Sequence, residues 1–365
     1  MKAPLGLRAA AGSLGIACLA AVSACSSSTT TGSSSPAGAA LSAVSAPSNV
    51  GLVTAPAGYT IQRWAGGTGN YTGPDAIVFD GNNVWIGYQN GAAKDGTDTK
   101  MSALVEFTLS GQVERTVKVG GHCDGLRVDP STHLLWATSN EDGNPRLFTV
   151  DQTSGQVTEY KFPAAPHGGG YDDVYFLNGS AFIAASNPTL DASGNNPNAA
   201  VDKVTLSGSN VVLTPVLMGN AKANAPDTST TPPGVKQVTL TLTDPDSLSV
   251  DAKGDLVLVA QADSALITIA NPGAPQQTVT ELPVGTQLDD TIWTTSERGK
   301  FFIVDGVTGI IYTVAFDVPV GTIFTEAPDD SGVAGFVGTV SPATGFIHPV
   351  ITGLQHPTGL ALLPA

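Results

Sequence analysis

The sequence is poor in positive charge, in cysteine and in charged residues altogether. Of its 365 residues, 16 are Lys or Arg and 31 are Asp or Glu, a formal net charge of −15. Nucleic acid and anionic lipid both recruit clustered cations, so neither is the principal partner of such a surface. Charged residues make up 13% and apolar residues 41%, which can fill a core and is not the composition of a disordered chain. Helical periodicity is almost missing after residue 50. There is no Gly-x-Ser-x-Gly elbow, no His-Glu-x-x-His and no P-loop, and Gly67-Thr-Gly69 with Gly73 has the wrong spacing for a dinucleotide loop. Cysteine occurs only at Cys18, Cys25 and Cys123. Cys18 falls in a segment that export removes, so the mature chain has no intramolecular disulfide and its fold holds by packing.

The amino terminus reads as an address. Lys2 and Arg8 give a positive start, and Leu14 to Val22 form an apolar stretch too short to span a bilayer. Val22-Ser23-Ala24-Cys25 follows, an aliphatic residue, two small ones and a cysteine. It resembles the lipobox of bacterial lipoproteins, which implies cleavage after residue 24 and acylation of Cys25. The alternative is an ordinary signal peptide ending at Ala24. Ser26 to Asn49 carries no aromatic and no charged residue, so it cannot offset its ordering entropy and reads as a tether. Its reach is about 25–30 Å. The expected organisation is thus 1–24 signal peptide, 25–49 lipidated tether and 50–365 folded domain, held on the outer side of a bacterial membrane by acyl chains contributing ~0.8 kcal/mol per buried CH₂.

From Val50 onward the chain repeats. Asp75-Ala-Ile-Val-Phe-Asp80, Asp124-Gly-Leu-Arg-Val-Asp129, Asp173-Val-Tyr-Phe-Leu-Asn178, Asp246-Ser-Leu-Ser-Val-Asp251, Asp290-Thr-Ile-Trp-Thr and Thr358-Gly-Leu-Ala-Leu-Leu share one pattern. The first five are followed by second apolar runs: Val84-Trp-Ile-Gly, Leu134-Leu-Trp-Ala, Ala181-Phe-Ile-Ala, Leu256-Val-Leu-Val and Phe301-Phe-Ile-Val. Third runs, such as Leu104 to Leu109 and Ile310 to Val314, come next, and Ser-Gly turns lead into outer strands. Groups of four short β-rich runs predict the blades of a propeller. Six leading strands predict a six-bladed, all-β propeller of four-stranded antiparallel blades. Tyr59–Trp64 is expected to close the ring as the outer strand of the blade that contains Thr358–Leu363. Residues 187–200 and 219–235 read as loop insertions, and Phe336 to Ile351 as a hairpin of a sixth or an irregular seventh blade.

The repeated Asp-led strand, Leu134-Leu-Trp136 and His356-Pro-Thr-Gly-Leu-Ala-Leu-Leu-Pro364 resemble the regucalcin/gluconolactonase/strictosidine-synthase-like group of six-bladed propellers, with NHL-repeat proteins beside it. The resemblance covers roughly residues 55–365. It implies a scaffold shared by hydrolases, lyases and non-catalytic binders. It also implies, for the lactonases, one divalent cation held in the central cavity by a Glu, Asn and Asp set, which this sequence does not match residue by residue.

Two constellations are candidates for chemistry. Asp75, Asp124, Asp173, Asp246 and Asp290 occupy one equivalent position before the innermost strand, where carboxylates converge on the channel rim. They are expected either to hold Ca²⁺ or another divalent cation, or to cap the entry turns through backbone N–H groups. His122, His167 and His356 precede leading positions in three blades and could share one face as a general base or a Zn²⁺ site, or be ordinary loop residues. Cys123 reads as a buried thiol or a thiolate ligand, and Tyr171, Arg127 and Asn140-Glu141-Asp142 as neighbours of the site. The expected function is an exported, membrane-tethered, monomeric propeller that binds a small ligand or protein on its top face. The alternative is a metal-dependent lactone or ester hydrolase, or a lyase, using that face.

Overall fold

The computed structural model describes residues 52–66, 70–232, 234–329 and 332–363. The signal-peptide and tether readings, Cys25 included, lie outside the described residues. The described chain is all-β, with no α-helix among the described residues. Strand β1 (Tyr59–Ala65) stands first. Then come β2 to β5 (Pro74–Asp80, Asn83–Tyr88, Met101–Thr108, Val113–Gly120), β6 to β9 (Cys123–Val128, Leu134–Ser139, Arg146–Asp151, Val157–Lys161) and β10 to β13 (Val174–Leu177, Ser180–Ala184, Ala199–Ser207, Asn210–Met218). The hairpin β14 and β15 (Lys222–Asp227, Gly234–Thr239) precedes β16 to β19 (Pro245–Val250, Leu256–Ala260, Ala265–Ala270, Thr278–Pro283). The last strands are β20 to β22 (Thr291–Trp293, Arg298–Asp305, Ile310–Asp317), β23 to β25 (Ile323–Ala327, Phe336–Val340, Ile347–Thr352) and β26 (Pro357–Leu362).

Four of the antiparallel four-stranded units follow chain order: β2-β3-β4-β5, β6-β7-β8-β9, β10-β11-β12-β13 and β16-β17-β18-β19. Single parallel bridges, Asn210 to Lys161 and Asn224 to Thr280, join outer strands of these units. The innermost strands pack side by side: β2 against β6 and β26, β10 against β6 and β16, and β20 against β16 and β26. Two glycines mark how close they come. A Cβ on Gly125 would lie 2.6 Å from the Asp173 Cα, and one on Gly359 would lie 2.2 Å from the Asp75 carbonyl oxygen. Only hydrogen fits there.

Strand sequence follows burial. In β17, Leu-Val-Leu-Val-Ala, every residue is buried, because both faces of its sheet are covered by neighbouring sheets. The apolar side chains gather in clusters between successive sheets. Trp85, Leu104, Leu126 and Phe148 fill one gap, and Phe182, Leu217, Leu248 and Leu258 another. Each such side chain contributes about 1.5–3 kcal/mol on burial.

The last two units depart from the sequence reading. Phe301-Phe-Ile-Val and Ile310-Ile-Tyr-Thr-Val do not continue the sheet that starts at Asp290. β20 pairs with β23, which continues to β24 and β25, whereas β21 and β22 pair with β26 and β1. The chain therefore leaves the β20 sheet for its neighbour, returns for three strands, and ends in β26. The Phe336 to Ile351 hairpin belongs to the β20 sheet. An apolar β-run carries no label for its sheet; aromatic packing decides, as Phe301 and Phe316 meet Phe324 across the two sheets at centroid distances of 4.8 and 5.9 Å. β1 lies along β22, from Tyr59 opposite Phe316 to Ala65 opposite Ile311, in the sheet that holds β26. The 219–235 insertion, expected to be a loop, contains most of an antiparallel hairpin, with Lys222 to Asp227 opposite Thr239 to Gly234.

Candidate functional site at the channel mouth

The innermost strands all begin at one end of the molecule, where they surround a cavity of about 400 Å³. Its wall carries eight carboxyl groups, Asp75, Asp124, Glu141, Asp172, Asp173, Asp246, Asp289 and Asp290, against two cations, Lys94 and Arg127. The five leading aspartates thus share one cavity, joined by Glu141 and by Asp172 and Asp289 from the position just before. That many enclosed carboxylates cannot all ionise without protons or cations among them. Burial comes first in pushing the Asp75, Asp124, Asp172, Asp246 and Asp289 carboxyls well above their ordinary range, and neighbouring carboxylates add to it.

The members divide by their partners. Asp173 accepts from its own neighbour Val174 N at 2.8 Å and, through its other oxygen, from Leu248 N at 3.1 Å and Arg127 Nη2 at 2.8 Å. Asp290 accepts from Leu360 N at 2.9 Å. Capping therefore occurs, at the strand's own entry for Asp173 and, for both Asp173 and Asp290, across to the innermost strand of the next sheet. Burial raises Asp173 to about 6, with Arg127 working in the opposite direction. Asp246 accepts from Ser247 Oγ at 2.6 Å, and the same hydroxyl lies 3.2 Å from Asp289 Oδ1. Asp75 lines the mouth beside Thr358.

Asp124 sits differently. His122, at the entry to β6, donates Nδ1–H to the Ala92 carbonyl at 2.7 Å, an acceptor that fixes the ring's tautomer. Its Nε2 faces Asp124 Oδ1 at 3.2 Å, and burial lowers the imidazole pKa, which favours the neutral ring. With the ring neutral and the Asp124 carboxyl pushed up, the pair holds a single proton between the two groups unless a cation takes its place. Among the described residues neither His122 Nε2 nor Asp124 Oδ2 has a hydrogen-bond partner that meets the usual geometry, although both are shielded from solvent. Glu141, from the loop after β7, brings a carboxylate into the same place: one donor atom from each of His122, Asp124 and Glu141 lies within 4.8 Å of the others. Burial works to raise the Glu141 carboxyl, but its pairing with Lys94 from the β3–β4 loop, joined by a hydrogen bond from Asp172 and by His122, keeps it low.

The three histidines do not converge. His356 lines the cavity, with Nδ1 2.8 Å from Asp329 Oδ1. His167 is buried, its Nε2 2.6 Å from the Gly170 carbonyl oxygen, because the Gly168-Gly-Gly170 turn folds the ring back onto its own loop and against Tyr171. Cys123 is fully buried, and burial together with Asp124 raises its thiol far above the ordinary value, so it stays a thiol packed near Gly87. Lys94, Asp172 and Asp289 were not singled out from sequence. The doublets Asp172-Asp173 and Asp289-Asp290 were the available signal; Lys94 had none, since a loop lysine gains a role only from where its loop lies.

No family model and no curated protein matches the chain. Solved structures that it resembles include virginiamycin B lyase from Staphylococcus aureus, at 11% identity over 84% of this chain and 100% of that one, with a TM-score of 0.43. A putative gluconolactonase matches at 14% identity over 83% and 85%, with a TM-score of 0.44. A putative 6-phosphogluconolactonase from Bacteroides uniformis matches at 12% identity over 79% and 73%, with a TM-score of 0.45. Overlap at this level assigns no chemistry to the mouth, which rests on its own residues.

Proposed function

We propose that the six four-stranded units are the blades of a six-bladed β-propeller, closed where β1 joins the C-terminal sheet, and that its mouth works as a metal-dependent hydrolase or lyase site acting on a lactone or ester. One observation carries the reading: His122 Nε2 and Asp124 Oδ1 face each other at 3.2 Å with Glu141 alongside, three ligand-type side chains gathered at one buried point. A cation can take the place of the proton this pair otherwise shares, and His122 already donates its other nitrogen to a backbone carbonyl, as metal-bound imidazoles do. One imidazole with two carboxylates suits Zn²⁺ or Mn²⁺ better than Ca²⁺, which prefers an all-oxygen shell. Bound there, such an ion would supply Lewis-acid polarisation of a carbonyl oxygen. The chain's own residues do the rest. Asp124 and Glu141 balance the charge, Lys94 holds Glu141 in place, and His356, steadied by Asp329, stands on the cavity wall as a base able to take a proton. A second reading, capture of a cationic ligand without turnover, is favoured by the excess of carboxyls over cations at the wall. The tether and the acylated Cys25 belong to the same proposal: they place this mouth on the outer side of a bacterial membrane.

Elemental analysis and melting of the full chain test the reading. A metal at one per chain, a melting temperature lowered by chelator and restored by Zn²⁺ or Mn²⁺, and loss of that response in His122→Ala and Glu141→Gln are expected. At a hundredfold excess over Kd the ion contributes about 2.7 kcal/mol. Turnover of a lactone or ester panel separates the enzyme from the binder. Metal-free protein whose melting ignores chelator and which turns over nothing in the panel would remove the metal-dependent enzyme.

A further inference from the structure

The opposite end of the innermost strands has the reverse character. Where those strands finish, Ile77, Phe79, Tyr175, Val250, Trp293 and Leu360 surround a second cavity of about 570 Å³. That is within the range of small-molecule sites. Arg127 and Asp290 line both cavities, so the guanidinium stands at the boundary between the acidic mouth and the apolar one. Its position is fixed by Asp173, by the Leu248 carbonyl at 3.0 Å and by the Tyr175 ring beneath it at 5.4 Å.

Two polar atoms at this apolar end are left over. Arg127 Nε–H and Ser249 Oγ are shielded from solvent, and neither has a hydrogen-bond partner among the described residues. A shielded donor without an acceptor costs the full desolvation of its group, and a ligand oxygen would recover that loss. The charge balance decides which oxygen. Arg127 already faces the Asp173 carboxylate, with Asp290 on the same wall, so a second anion meets repulsion and a cation meets the guanidinium. The geometry points to a binding site for a small, uncharged, mostly apolar molecule that presents one carbonyl or ether oxygen to Arg127 and Ser249. Its flat body lies among Phe79, Tyr175 and Trp293. This site is independent of the cation at the mouth.

The probe is prodan, a neutral naphthyl ketone whose emission shifts to the blue in apolar surroundings, titrated into the full chain. One saturable site per chain is expected. Ser249→Ala should weaken it about three- to tenfold, the size of one hydrogen bond. Ala252→Trp, an exposed turn residue on the rim, should block entry without disturbing the core. Anilinonaphthalene sulfonate, a similar body with a charge, should bind more weakly, and His122→Ala should bind prodan like the parent. Non-saturating emission, equal affinity for the sulfonate, or binding unchanged in both Ser249→Ala and Ala252→Trp would overturn the assignment. Loss of prodan binding in His122→Ala would overturn the independence of the two ends.

Discussion

Glu326 is the most exacting test of the acid-rich interior. It lies on β23, fully buried, and neither carboxylate oxygen has a hydrogen-bond partner among the described residues. Burial pushes its pKa well above the ordinary range and the nearby Asp290, Asp75 and Asp246 carboxylates add to it, against a smaller pull from the Asp290 backbone N–H, which lies too poorly aligned to satisfy either oxygen. The folded state therefore keeps a proton that the unfolded chain releases near pH ~4.3. With more protons bound in the folded state, stability falls as pH rises above that value, by about 1.4 kcal/mol per pH unit, and levels off above the folded-state pKa. Glu326→Met removes both costs. It replaces an unpartnered polar group by an apolar side chain of similar length, worth about 1–3 kcal/mol even where the acid is fully protonated. For a domain of this size each kcal/mol moves the melting temperature by roughly 2–4 °C. Melting curves at about pH 5 and about pH 8 should show the variant more stable at both, with the gap wider at the higher pH. Glu326→Gln, which cannot ionise but leaves polar atoms unpaired, should reproduce the pH-dependent part alone. A gap that does not change with pH, or a Met variant less stable than the parent, would refute the account of an unpartnered, proton-retaining carboxyl.

Other outcomes follow from the packing and the mouth. Trp64 on β1 meets Phe302 at 4.9 Å and Phe107 at 5.5 Å, stitching the first and last sheets together, so Trp64→Ala should cost about 3 kcal/mol in chemical denaturation; a neutral result would mean that β1 does not close the ring. Asp290→Asn should cost around 1 kcal/mol by weakening the bond from Leu360 N, and should do so equally with and without added metal. Lys94→Met removes the partner that holds Glu141 in place and keeps it ionised, and should weaken Zn²⁺ binding severalfold by calorimetry, whereas unchanged or tighter binding would place the lysine's role elsewhere. Cys25→Ser should move the full chain from the detergent-dependent membrane fraction to a soluble or unprocessed form; unchanged fractionation would exclude the acyl anchor.

Strands were legible because burial on both faces writes itself as short apolar runs. Val84-Trp-Ile, Leu256-Val-Leu-Val and Phe301-Phe-Ile-Val each lie in a strand where the pattern placed them. The leading aspartates were visible for a related reason: a repeated backbone geometry needs the same short acceptor at the same place, and Asp173 and Asp290 use it on the neighbouring strand. The convergence of five of them on one cavity follows from that repetition.

Long-range pairing left no comparable mark. Nothing local in Ile310-Ile-Tyr-Thr-Val assigns it to the sheet of β26 rather than that of β20, because a strand's hydrogen-bonding edges are the same for any partner; side-chain fit across the gap chose. The 219–235 insertion hid a hairpin behind proline and threonine for the same reason. At the mouth, sequence named His122 and Asp124 but grouped them with His167 and the other aspartates by position in the repeat. The turn of a single ring toward Ala92, and the reach of Glu141 and Lys94 from two loops, made the cluster that the repeat did not contain. The sequence by itself determined an acidic chain that, after residue 50, runs in repeated β-units with carboxylates at their starts, since composition and period are local quantities. Which strand closes the last sheet, which carboxyls are spent on backbone N–H groups of a neighbouring sheet and which gather with Glu141 at the His122 ring turned toward Ala92 were decided only by the tertiary structure, because each depends on a contact between residues distant in the chain.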